Sequence, residues 1–76
     1  MAKLTEAKAI RIENELARMG FADYGWTEHD DERVMLRMGN YPAFSFRTLA
    51  EVRSRGAIEE MRETAALIRA AYDIER

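Results

Sequence analysis

The sequence predicts a small α+β domain in which helices cover one face of an antiparallel sheet, in the order α-β-β-(β)-α-α. Three observations lead to this prediction. Apolar residues repeat at helical spacing near both ends of the chain, in residues 4–21 and 57–74. Between them, in residues 21–38, apolar and polar residues alternate as in half-buried strands. The total of 76 residues leaves room for one domain, residues 1–76.

The opening segment has the signals of a complete helix. Thr5 is a suitable N-cap, Glu6 places an acid in the first turn, and Gly20 suits the left-handed position after the last turn. The apolar stripe of this helix consists of Ala9, Ile12, Leu16 and Met19.

A β-hairpin is predicted next, with strands in "FADYGWTE" (residues 21–28) and "RVMLRMG" (residues 33–39) and a turn at residues 29–32. Tyr24 and Trp26 would share one strand face, two residues apart. Both could fill a small core beneath a helix, or one or both could face outward as binding anchors. The sequence alone leaves this choice open.

The remaining elements are a short strand and two helices. Pro42 cannot donate to a sheet, so a third strand at residues 43–46 would begin there, at an edge. Thr48 and Glu51 match a capping box and predict a short helix that Gly56 ends. A long helix then covers residues 57–74, with the apolar stripe Ile58, Met61, Ala65, Ile68 and Tyr72.

Composition narrows the class of protein. Hydrophobic residues make up 47% and charged residues 34% of the chain, which is typical of a folded domain. There is no cysteine, which excludes disulfides and thiol chemistry and favours a cytoplasmic location. No apolar run approaches the length of about 20 residues that spans a bilayer, so no membrane association is expected.

His29 is the only histidine and has four acids within three residues, so it is the first candidate for reactive chemistry. Imidazole and carboxylates can ligate divalent metals, and a histidine can act as a general base. However, adjacent residues of a turn diverge, and no second histidine completes a metal site. No glycine-rich phosphate loop or nucleophile set is present either. We therefore expect a non-enzymatic protein without metal or cofactor.

Charge is separated along the middle of the chain. Residues 21–32 contain five acids and no base, and a cluster of this kind can dock on a basic surface. A solvated turn is the simpler interpretation. If the acids bind a protein partner, the predicted contact residues are Glu28, Asp30, Asp31 and Glu32, with Trp26 and Tyr24 adding apolar contact.

Residues 33–56 are basic, with five arginines and one acid. If Val34 faces the helices, Arg33 and Arg37 lie on the open face of the sheet, and Arg47 would join them from the third strand. These arginines could bind phosphates, which makes a small nucleic-acid-binding regulator the alternative function. Cross-strand pairing with acids such as Asp23 is an equally simple explanation, and surface charges are usually just solvated. A homodimer formed through the wide apolar stripe of the last helix is a third hypothesis.

The chain is small, lacks cysteine, has mostly arginine among its basic residues, and carries the acidic cluster Glu28-His29-Asp30-Asp31-Glu32 beside aromatic residues. In these respects it resembles the small accessory proteins of phages and mobile elements, and among them the anti-CRISPR proteins. The resemblance implies a protein that occludes a surface of a CRISPR effector, often where nucleic acid would bind. The expected function is accordingly a protein-binding module that acts stoichiometrically as an inhibitor or adaptor.

Overall fold

The computed structural model describes the backbone of residues 3–75 and the side chains of residues 3–72. Along this part of the chain the order of elements is the predicted one, with one additional turn of 3₁₀ helix. The elements are α1 (Glu6–Arg18), the 3₁₀ turn (Phe21–Tyr24), β1 (Gly25–His29), β2 (Val34–Met38), β3 (Phe44–Phe46), α2 (Leu49–Arg53) and α3 (Arg55–Glu75). The predicted α+β class is confirmed, and the third strand forms.

Helix α1 begins and ends as predicted. The hydroxyl of Thr5 accepts a hydrogen bond from the backbone N–H of Lys8 at 3.3 Å, which caps the first turn. After the last turn, Gly20 adopts a left-handed conformation with φ of 88°. The apolar stripe faces the interior, where the buried side chains are Ala9, Ile12 and Leu16.

Strand β2 lies between β1 and β3, and both pairings are antiparallel. Val34, Leu36 and Met38 of this central strand are fully buried on the side of the helices. Because successive side chains of a strand point to opposite faces, Met35 and Arg37 lie on the other face, which no helix covers. Strand β3 is an edge strand, as predicted.

The start of α2 confirms the predicted N-cap at Thr48, whereas the second hydrogen bond of the capping box is shifted by one residue. The Thr48 hydroxyl accepts a hydrogen bond from the N–H of Glu51 at 3.2 Å. The Glu51 carboxylate in turn accepts one from the N–H of Arg47 at 2.8 Å.

The prediction that Gly56 ends this helix is wrong. Helix α2 ends at Arg53, and Gly56 lies in the first turn of α3. The side chain of Ser54 makes the junction, since its hydroxyl donates to the carbonyl of Glu51 at 2.8 Å and accepts from the N–H of Ala57 at 3.3 Å. Only Ser54 therefore separates the end of α2 from the start of α3.

The structure also corrects the first strand and the turn of the hairpin. Residues 21–24 form the 3₁₀ turn, because Gly20 redirects the chain and its carbonyl accepts from the N–H of Asp23 at 3.3 Å. Tyr24 and Trp26 consequently do not share a strand face. His29, which was predicted in the turn, is the last residue of β1 and pairs with Val34.

The interior is filled without Trp26. Its largest fully buried side chains come from the three helices and from the central strand: Ile12, Leu16, Leu36, Met38, Met61, Val34 and Val52. Only one face of the sheet contributes to this core, so the other face remains accessible. Within residues 3–75, every helix is too short or too polar to span a bilayer.

Candidate protein-docking surface

The open sheet face is formed by the outward side chains of the three strands. Cross-strand partners share a face, and the register pairs Trp26 with Arg37, and Met35 with both Glu28 and Ser45. The open sheet face therefore consists of Trp26, Glu28, Met35, Arg37 and Ser45. Trp26 dominates it, because 54% of this large aromatic residue remains accessible to solvent.

Arg37 is held flat on this face rather than extended into solvent. Its Nε donates to Oε1 of Glu28 at 2.5 Å, and its terminal nitrogen lies 4.0 Å from the sulfur of Met35. Both charged side chains of the pair are close to half exposed, so the pair itself stabilises the fold by at most about 1 kcal/mol. Its main effect is to fix Arg37 and Glu28 beside the accessible indole.

Asp30 has a structural role at the tip of the β1–β2 hairpin. Its Oδ1 accepts hydrogen bonds from the backbone N–H of Glu32 at 2.8 Å and of Arg33 at 3.0 Å. These two hydrogen bonds, that from Glu32 first, lower the pKa of the Asp30 carboxyl. The carboxylate is therefore engaged in the turn.

The other two acids of the tip are oriented outward. Asp31 is tethered to the segment before α1, since its carbonyl accepts from the N–H of Leu4 at 2.7 Å and its carboxylate lies 3.4 Å from Nζ of Lys3. Glu32 is exposed and forms no ion pair with the residues that the structure describes. We define the acidic tip as Asp31 and Glu32, the two carboxylates that a partner can reach without opening the turn.

Tyr24 lies away from the open sheet face. It packs half-buried against the core, and its hydroxyl accepts a hydrogen bond from the guanidinium of Arg69 on α3. The same guanidinium carbon is 5.6 Å from the centre of the tyrosine ring. Tyr24 thus fastens the 3₁₀ turn to α3. Of the two aromatic residues predicted as binding anchors, only Trp26 lies on the open sheet face.

His29 faces helix α1. Its Nδ1 lies 3.2 Å from Oε1 of Glu13, and the two side chains retain 30% and 21% of their solvent exposure, respectively. Among the residues that the structure describes, no three histidine or acidic side chains converge in a way that could hold a metal ion. The histidine therefore connects β1 to α1 in this structure.

The three arginines considered for nucleic-acid binding are dispersed. Arg37 lies on the open sheet face, Arg33 precedes β2 beside Asp30, and Arg47 lines a groove with Lys8 and Arg11 of α1. Lys8 and Arg11 were missed by the sequence interpretation. The signal that could have found them is their spacing of three residues on the polar side of α1.

The fold and this surface define a small α+β domain with a one-sided sheet, an exposed aromatic residue and an acidic hairpin tip. Comparison of the chain with protein-family models, with curated proteins and with solved structures finds no match in any of the three.

Proposed function

We propose that the protein is a non-enzymatic binding module that acts stoichiometrically as an inhibitor or adaptor. It docks the open sheet face and the acidic tip on a basic, nucleic-acid-binding surface of a partner protein. The observation that carries this proposal is the position of Trp26, a half-exposed tryptophan on a sheet face that no helix covers. Tryptophan is among the residues most enriched in the energetic centres of protein interfaces.

Charge complementarity supports a basic partner. Asp31 and Glu32 are exposed at the end of the same hairpin that carries Trp26. Exposed carboxylates at the end of a hairpin that also carries an apolar anchor suit a surface that normally binds phosphates, because the acids replace the phosphate charge. A CRISPR effector is the class of target that the resemblance of the chain implies.

The local chemistry favours binding over catalysis. His29 is engaged with Glu13 against α1, and Asp30 is engaged in the turn. On the open sheet face Arg37 is already paired with Glu28, so that this arginine is less available for phosphate than the sequence suggested. Protein docking therefore ranks above nucleic-acid binding for this face.

The test is an affinity capture from bacterial lysate, with nuclease in half of each sample. Two variants alter the proposed surface: Trp26→Ala and the double variant Asp31→Lys, Glu32→Lys. Asp30 is left unchanged because it holds the turn. Matched controls change exposed residues of α3, namely Tyr72→Ala and the double variant Glu60→Lys, Glu63→Lys.

We expect the capture to recover a nucleic-acid-binding protein from the lysate, with and without nuclease. Both control variants should still capture this protein, and both surface variants should not. The purified partner should then release its nucleic acid or form a ternary complex at a one-to-one ratio. A partner that both surface variants retain, or one that is recovered only without nuclease, contradicts the proposal.

A further inference from the structure

A second charged surface lies on the helical side of the molecule. Lys8 and Arg11 of α1 face Arg47 and the start of α2 across an open groove of about 280 Å³. We call it the α1–α2 groove; its lining residues are Lys8, Arg11, Ile12, Arg47, Thr48 and Leu49. Three cations thus converge on one depression in a chain whose net charge is −2.

No acid neutralises these cations among the described residues. Lys8, Arg11 and Arg47 form no ion pair there, although six ion pairs are found elsewhere. The carboxylate of Glu51 lies beside Arg47 but accepts a hydrogen bond from its backbone N–H, at 2.8 Å. Three cations against the one nearby carboxylate of Glu51 leave the groove with an excess of positive charge, which attracts anions.

A smaller excess of positive charge continues along α1, where one carboxylate partly neutralises the arginines. Arg11 also lines an adjoining groove that contains Arg18 and Arg53. The only acid there, Glu15, is 7% exposed and is already paired with both of these arginines, at 2.8 Å in the case of Arg53. From Lys8 to Arg18 the helix rises by about 15 Å, which exceeds the size of a single phosphate group.

We infer that the α1–α2 groove binds the phosphate backbone of a nucleic acid. Arginine matches phosphate because its planar guanidinium can donate two parallel hydrogen bonds. The length of the basic surface fits a repeating polyanion better than a free phosphate. No aromatic side chain lines the groove, so we expect no base stacking and little sequence preference.

This site is separate from the open sheet face. It uses Lys8 and Arg11, which lie on the helical layer, and it does not require Trp26 or Arg37. The inference therefore does not depend on the proposed protein-docking function, and either can fail alone.

The experiment measures fluorescence anisotropy of labelled single-stranded DNA, duplex DNA and RNA titrated with the purified full chain. Three phosphate contacts predict an affinity that falls roughly 20-fold for a single strand, and roughly 40-fold for a duplex, between about 50 and 200 mM salt. The groove variant Lys8→Gln, Arg11→Gln, Arg47→Gln should lose at least about 10-fold in affinity at low salt and most of the salt dependence.

The control variant Arg55→Gln, Arg62→Gln, Arg69→Gln removes the same charge from α3, and Trp26→Ala alters the open sheet face. Both should bind nucleic acid within about twofold of the unmodified chain, since neither removes a groove contact. Circular dichroism verifies that each variant is folded.

Three outcomes would overturn the inference. They are the absence of binding at low salt, an equal loss in the α3 control, and binding of polyglutamate in place of nucleic acid. The last outcome would assign the groove to an acidic peptide.

Discussion

Gly25 begins β1 in close contact with the backbone of β2, and this contact provides a sharp test of the sheet register. A Cβ atom added at Gly25 would lie 1.7 Å from the carbonyl oxygen of Arg37 and 2.7 Å from its carbonyl carbon. Both are backbone atoms of the central strand, so that no side-chain rotation can relieve the contact. Gly25→Ala therefore requires the two strands to separate where Gly25 pairs with Met38.

The expected cost follows from this geometry. Overpacking a rigid site costs about 1–3 kcal/mol, and a backbone clash belongs at the upper end of that range. In a domain of this size, each kcal/mol lowers Tm by about 4–8 °C, so Gly25→Ala should lower Tm by roughly 10–25 °C. The total stability of so small a domain rarely exceeds about 5 kcal/mol, and a measurable unfolded fraction is therefore expected at room temperature.

Gly56→Ala is the matched control for the same substitution. A Cβ atom at Gly56 meets nothing within 4 Å, and the residue lies in the first turn of α3. Alanine there should stabilise the protein by about 0.5–1 kcal/mol, because glycine loses more backbone entropy on folding. Thermal unfolding followed by circular dichroism compares the two variants with the unmodified chain. Equal Tm values for Gly25→Ala and the unmodified chain would refute the register of β1 on β2.

Two further predictions concern Glu15 and Trp26. Hydrogen bonds from Arg53, and to a smaller extent from Arg18, lower the pKa of the Glu15 carboxyl. The ionised carboxylate therefore stabilises the fold fully above the ordinary glutamate pKa of about 4.3, and this stabilisation is lost as the pH falls through the lowered pKa. Tm measured from neutral to acidic pH should therefore fall less steeply for Glu15→Gln than for the unmodified chain, and identical acid profiles would contradict this origin. Trp26 is the only tryptophan, so the tryptophan emission of the protein reports on this residue alone. Because its indole is half exposed, acrylamide should quench this emission in the folded state nearly as well as after unfolding in urea. Strong protection from acrylamide in the folded state would place the indole inside the core.

Most of the fold was predictable because it depends on local periodicity and on capping. Thr5 and Gly20 delimit α1, Thr48 begins α2, and β3 follows Pro42, each by a mechanism that acts within a few residues. The prediction failed at Gly56, where the same residue type suits a helix end and is tolerated in a first turn. The boundary lies at Ser54 instead, because its hydroxyl forms hydrogen bonds with the end of α2 and with the start of α3.

The candidate surfaces were only partly predictable, because they depend on contacts between distant residues. Trp26 was as compatible with the core as with the surface until the register placed it opposite Arg37. Tyr24 looked like a neighbour of Trp26 in the sequence, but the 3₁₀ turn directs it to Arg69, 45 residues further along the chain. The α1–α2 groove likewise forms only when the fold brings Arg47 to Lys8 and Arg11.

Under the proposed function, nucleic-acid binding by the α1–α2 groove would distinguish an adaptor from an inhibitor. The open sheet face points away from the helices, whereas the α1–α2 groove lies on the helical layer, so one occupant does not cover the other site. A module whose only function is to displace nucleic acid needs the acidic tip and Trp26, and unpaired cations elsewhere would give it no advantage. A module that also holds a phosphate backbone through Lys8 and Arg11 can remain on a nucleoprotein while it contacts the protein component. Nucleic-acid binding by the α1–α2 groove would therefore favour the adaptor, and its absence would favour the occluding inhibitor.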